Sequence, residues 1–146
     1  MIYFDAAYIA KCYLNEPGAD RVRRVAYSAQ GLASCELGRL EFACIIKRHL
    51  REHHLTRREA AAILKEFEED EKNGVWHWFG MSAALVEQAR QAVIRLSLNV
   101  FMRAGDALHL TCASEHGFSQ VYTNDRHMLA AASYFTLTGI DVTQNT

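Results

Sequence analysis

Proline is nearly absent, with Pro17 the only one in 146 residues. A chain so poor in helix breakers, half hydrophobic and 23% charged, excludes a disordered or proline-rich class and fits a compact, helix-rich globular protein. Long hydrophobic runs are missing too. No stretch approaches the roughly 18 apolar residues of a membrane span, and no secretory leader opens the chain, so a soluble, unexported protein with no membrane partner is expected. An excess of one charge is also lacking: 16 Lys and Arg against 17 Asp and Glu leave a formal net charge of -1. Composition therefore gives no sign of a polyanion-binding protein, and the substrate class has to come from a site. Paired cysteine motifs are absent as well. Cys12, Cys35, Cys44 and Cys112 form no C-x-x-C pair and lie in apolar neighbourhoods, which argues against a zinc site or a disulfide scaffold and fits a reducing cytoplasm.

What is present has the length of one domain, residues 1–146, able to bury about 68–70% of the surface its unfolded chain would expose. Ile2-Tyr3-Phe4 reads as a strand buried on both faces and ends at once in Asp5. Helices are expected over Ala6–Leu14, stopped by Pro17-Gly18, over Ala19–Ala29 with Arg21, Arg23 and Arg24 exposed, and over Glu36–His49. A short strand at Gly31–Ser34 separates the last two. Thr56-Arg57-Arg58-Glu59 has the form of a capping box ahead of a helix carrying Ala60, Ile63, Leu64 and Phe67. Val75–Phe79 has strand composition, and Ser82 caps a helix with Leu85, Ala89, Ala92, Val93 and Leu96 on one stripe. A helix over Ala104–His116 closes at Gly117, followed by a strand at Gln120–Thr123, a helix at Asp125–Ala132 and a strand at Leu137–Val142. About five strands alternating with seven helices predict a three-layer α/β/α sandwich on a mainly parallel sheet.

Four acids stand out of place. Asp5 and Asp125 each follow an apolar strand and would emerge on the same edge of a parallel sheet, where open α/β sheets hold their functional crevice. Glu41 shares a helical stripe with Leu37 and Cys44, with Leu40 beside it, and so interrupts an apolar face. Asp106 opens its helix beside Ala107 and Leu108. Each also admits a purely structural reading: Asp125 and Asp106 as helix-start residues, Glu41 as the partner of an arginine, Asp5 as a turn residue. Their concurrence at strand ends and helix starts favours a shared site. Carboxylates converging within a few ångströms cannot all stay charged unless a cation sits among them. Mg²⁺ or Mn²⁺ suits an all-oxygen donor set, and no histidine or cysteine joins the set to argue for zinc. Such a centre performs phosphoryl chemistry, which implies a nuclease or phosphatase.

The strand ending in Asp5, Glu41 within Gly38-Arg39-Leu40-Glu41-Phe42-Ala43, Asp106 within Gly105-Asp106-Ala107-Leu108-His109-Leu110, and Tyr122-Thr123-Asn124-Asp125 together resemble the PIN-domain ribonucleases, most closely the VapC toxins of toxin–antitoxin pairs. The resemblance spans the chain. It implies a Mg²⁺- or Mn²⁺-dependent endoribonuclease acting on RNA, with Asp5, Glu41, Asp106 and Asp125 as its catalytic, metal-binding cluster. It also implies a homodimer and an antitoxin whose C-terminal segment covers the active site. Alternatives are a PIN nuclease without an antitoxin, serving RNA processing or acting on DNA, and an inert PIN-fold binding module. The family often carries Ser or Thr two residues after the first aspartate, where this chain has Ala7, while Thr123 matches the family's threonine. Arg103, just before the Asp106 helix, is expected to clamp a phosphate. His109 is expected to pack in its helix, and Trp76 and Trp78 to serve a core or an interface.

Overall fold

The computed structural model describes residues 1–144. Its five strands are β1 (Ile2–Phe4), β2 (Leu32–Cys35), β3 (Trp76–Phe79), β4 (Gln120–Tyr122) and β5 (Thr138–Ile140). They form one sheet in the order β3-β2-β1-β4-β5, every adjacent pair parallel. β1 therefore runs down the middle. The chain lays β2 and β3 on one side of it and β4 and β5 on the other, so the connections diverge at β1 and a crevice opens beyond its carboxyl end.

Seven helices cover the sheet: α1 (Ala6–Tyr13), α2 (Ala19–Ser28), α3 (Leu37–Arg51), α4 (Arg57–Lys72), α5 (Ala83–Arg95), α6 (Ala104–Glu115) and α7 (Arg126–Ala131), the last running into a 3-10 turn at Ala132–Phe135. Successive strand side chains point to opposite faces, and in β1 this sends Tyr3 and Phe4 into different cores. Tyr3 joins Leu110, Val121, Met128 and Phe135 beneath α5, α6 and α7. Phe4 joins Tyr8, Ile9, Val22, Phe42, Phe67 and Trp76 beneath α1 to α4. The three-layer sandwich follows, with both faces of the sheet buried.

Local chemistry sets the helix boundaries. Thr56 and Glu59 close a reciprocal capping box on α4, through Glu59 N–H to Thr56 Oγ1 at 3.1 Å and Thr56 N–H to Glu59 Oε2 at 2.8 Å. Ser82 accepts from the Leu85 amide at 3.0 Å and starts α5. Three sequence expectations need correction. On α3 the buried residues are Gly38, Phe42 and Ile46, while Leu40 is 63% exposed and Cys44 is also exposed, so Glu41 does not interrupt an apolar face. On the α5 stripe Leu85 and Ala89 are buried and Ala92 and Leu96 pack partly buried beside them, but Val93 faces outward. Of the α2 arginines Arg24 is exposed as expected, but Arg23 donates to the carbonyls of Lys11 and Leu14 and pairs with Asp20, and Arg21 reaches the Thr143 carbonyl. Trp76 is buried and stacks on Trp78, a core role as expected. Among the described residues no helix is long and apolar enough to cross a membrane.

Candidate active site

Two of the acids are placed by the sheet. Asp5 stands one residue past β1, its amide bound to the Tyr122 carbonyl of β4 at 3.2 Å, and Asp125 stands three residues past β4. Both cap the helices they precede. Asp5 Oδ1 accepts from the Tyr8 amide at 2.9 Å, and Asp125 Oδ1 accepts from His127 and Met128 at 2.7 and 3.1 Å. The helix-start reading of Asp125 is thus correct, Asp5 caps its helix as well as ending the turn after β1, and each leaves its second oxygen for other work.

Thr123 ties them together. Its hydroxyl donates to Asp5 Oδ2 at 2.5 Å and accepts from the Asp125 amide at 2.9 Å, with no exposed surface. A serine or threonine at position 7 would be a further hydroxyl, and Ala7 leaves this support to Thr123.

The other two acids come from helices on opposite sides of the sheet, Glu41 from α3 and Asp106 from the first turn of α6. All four line one open cavity of about 610 Å³, together with Ala7, Cys44, Ile45, Arg48, Arg103, Gly105 and Asn124. The sequence-predicted set is therefore brought together. Arg103 lies within it, its Nε donating to Asp106 Oδ2 at 2.8 Å and its Nη2 to Asp125 Oδ2. The guanidinium expected to face a phosphate is engaged with two of the acids.

The electrostatics divide the acids. Burial pushes the Asp5 carboxyl up to about 6, against the Thr123 hydroxyl and the Tyr8 amide, which favour its charged form. Burial pushes Asp125 the same way, but the Met128 and His127 amides and the Arg103 guanidinium outweigh it and hold Asp125 below the usual carboxylate range.

His109 is the residue that sequence reasoning undervalued. It is 2% exposed, as a packed helical histidine should be, yet it also joins the acid set, with Nε2 2.6 Å from Glu41 Oε2 and Nδ1 3.0 Å from the Tyr3 hydroxyl. Burial lowers its proton affinity, but the hydrogen bond and charge of Glu41, with Asp5 behind, raise it above the ordinary histidine value. Its spacing of three from Asp106 was the available signal, because i and i+3 share a helix face. Glu41 is thus paired with a histidine and not with an arginine.

A divalent ion fits the donor chemistry, since four carboxylates border a cavity with ample room for water. Among the described residues no three His, Cys, Asp or Glu groups are gathered into a ready ligand cluster. The four acids share the wall of one cavity but do not converge within a few ångströms as the sequence suggested.

The PIN domain family model matches residues 2–133. The chain belongs to the PIN-domain family. No curated protein sequence matches it. The fold is shared with the crystal structure of Mycobacterium tuberculosis VapC20, a Sarcin-Ricin loop cleaving toxin, at a TM-score of 0.69 and 18% identity, covering 90% of this chain and 95% of that one. FitAB bound to an IR36 DNA fragment is similar at a TM-score of 0.70 and 16% identity, covering 100% of this PIN chain and 98% of its counterpart.

Proposed function

We propose that this PIN protein is a Mg²⁺- or Mn²⁺-dependent endoribonuclease that hydrolyses RNA phosphodiester bonds, acting in the cytoplasm as the toxin of a toxin–antitoxin pair. One observation carries the proposal: Asp5, Glu41, Asp106 and Asp125, from four separate segments, line a single open cavity beyond the carboxyl end of β1. Four acids around an open cavity repel the phosphates of RNA unless a cation is held between them.

Asp5, Asp106, Glu41 and Asp125 are the groups that would hold the ion. When bound, Mg²⁺ or Mn²⁺ would offset charge on the phosphate and the departing oxygen and ease ionisation of the attacking water. The protein's own part is orientation. Thr123 fixes Asp5 against Asp125, and the amides that cap through Asp125 stabilise its charged form. Arg103, 55% exposed and paired with Asp106 and Asp125, would turn from Asp106 toward an incoming phosphate, where its guanidinium can meet two oxygens.

The toxin assignment draws on the fold shared with VapC20, a Sarcin-Ricin loop cleaving toxin, and with FitAB, which binds DNA. It carries with it an antitoxin partner and a homodimer. Exposed Val86, Val93, Ile94, Leu98 and Phe101, on α5 and the segment after it, are the apolar surface suited to the second copy.

The test is cleavage of labelled total RNA with Mg²⁺, Mn²⁺ or chelator, followed by mapping of the ends. Wild-type protein should cut only with metal, and Asp106→Asn should not cut. Equal cleavage by wild type and Asp106→Asn, both folded, would overturn the assignment. Co-purification with the product of a neighbouring small reading frame distinguishes a toxin from a PIN nuclease without an antitoxin.

A further inference from the structure

Glu41 reaches the cavity from α3 on one side of the sheet, and His109 meets it from α6 on the other. A carboxylate oxygen only accepts, so the imidazole Nε2 carries the hydrogen in the 2.6 Å contact with Oε2. The ring is held at its other end as well. Tyr3 places its hydroxyl 3.0 Å from Nδ1, and that same oxygen accepts the Cys35 amide at 3.0 Å, so β1 and β2 both anchor the ring. The Tyr3 and His109 rings meet edge to face at 6.0 Å.

A glycine leaves room for the pair. A Cβ on Gly105, one turn before His109, would stand 3.0 Å from Glu41 Oε1. Helix α6 thus shows a glycine to the side chain that α3 contributes. The glutamate is a flexible side chain whose rotamers the cavity alone would not select, since it is about a third exposed. Tethering Oε2 leaves Oε1 over Gly105, which lines the cavity.

We propose that His109 is a positioning residue: its Nε2–H holds Glu41 with one oxygen committed to the imidazole and the other presented to the acid-lined cavity, and Tyr3 sets the plane of the ring. The consequence for metal binding rests on the nuclease assignment above; the tether itself does not. Removing a residue that orients a metal-binding carboxylate typically weakens metal affinity by about 10–100-fold.

The experiment measures Mn²⁺ affinity by calorimetry, with melting temperature recorded alongside, for the wild type, His109→Gln, His109→Leu, Tyr3→Phe, and Tyr3→Phe combined with His109→Leu. Glutamine can donate from its own Nε2 and should stay within about threefold of wild type, whereas leucine should lose about 10–100-fold. Tyr3→Phe should weaken binding in the wild-type background and do nothing further once His109 is leucine, because Tyr3 acts through the ring. A merely structural role would lower melting temperature while sparing affinity, and that pattern, or glutamine failing as badly as leucine while folded, overturns the proposal. Imidazole ¹⁵N spectra of the metal-free protein read the tether directly and do not require the leucine variant to fold. Glu41→Gln should move the His109 Nε2 resonance, and an unmoved resonance overturns the proposal. A wild type that binds no Mn²⁺ but shows this shift sinks the metal assignment and upholds the tether.

Discussion

Arg103 and Asp106 face each other across the first turn of α6, Nε to Oδ2 at 2.8 Å, and the same guanidinium reaches Asp125. A cation of the chain's own thus occupies part of the space in which a divalent ion would be held. Arg103→Met, which keeps the length and removes the charge, should therefore tighten Mn²⁺ binding while slowing RNA cleavage. The pairs are partly exposed, so together they contribute about 1 kcal/mol, or roughly fivefold in affinity. Calorimetry and cleavage rate measured on the same preparation check this. Weaker binding by the methionine variant would show instead that Arg103 arranges the acids for the metal.

Asp5 gives a pH dependence. Its folded value of about 6 lies above the ordinary 3.8, so the folded state holds a proton that the unfolded chain releases. The stability from this group is fully present below pH about 4 and is lost as pH rises through about 6. Two units correspond to about 3 kcal/mol. Asp5→Asn escapes the loss. Metal-free Asp5→Asn should match wild type near pH 4 and exceed it by about 3 kcal/mol above pH 7, as read by urea unfolding at each pH. The comparison cancels groups such as Asp125 and Asp141, whose lowered values act in the opposite sense. Added Mn²⁺ should reverse the order by stabilising only the wild type. A constant difference across pH would mean that Asp5 is charged at little cost.

The sheet and the positions of Asp5 and Asp125 at its edge were legible because each rests on local chemistry. The apolar run of β1, the capping box at Thr56 and the strand composition of Trp76–Phe79 carry their own signals, and the structure reproduces them within a residue or two. Asp5 and Asp125 could be read as adjacent because parallel strands deliver their ends to one edge. What was not legible depended on contacts between distant elements. Glu41 was singled out for an apolar face that the fold does not bury, since α3 turns Phe42 and Ile46 inward and leaves Leu40 to solvent. The bond of His109 to Glu41 joins residues 68 apart in sequence, and the engagement of Arg103 with Asp125 spans 22. No periodicity encodes such pairs.

The apolar surface on α5 yields a prediction about assembly. Ile94 is 68% exposed and lines a cavity of about 350 Å³ with Val86, Val93, Met102 and Leu108, and Leu98, a few residues on, lies fully in solvent. Burying such a patch against a second copy contributes about 25 cal/mol for each Å² of apolar surface covered. Ile94→Glu should therefore convert a dimer into a monomer without unfolding it, as measured by light scattering at micromolar protein. A wild type that is itself monomeric under those conditions removes this face as a homodimer interface.

Gly105 separates helix stability from site geometry. Its backbone is helical, in the first turn of α6, where alanine is favoured over glycine by at most the roughly 1 kcal/mol of a helix interior, so Gly105→Ala should leave melting temperature unchanged or raise it slightly. The added Cβ would stand 3.0 Å from Glu41 Oε1 and 3.8 Å from Leu37 Cδ2, so the carboxylate has to give way by a few tenths of an ångström. Glu41 cannot follow freely, because its other oxygen is held by His109. Cleavage should accordingly fall by about tenfold to a hundredfold, the range typical of a disturbed metal-orienting contact. In His109→Leu, where the carboxylate is released, the same alanine should cost far less, because the two changes act on one side chain and are not additive. Equal losses in both backgrounds would show that Gly105 matters for the approach of RNA and not for the placement of Glu41.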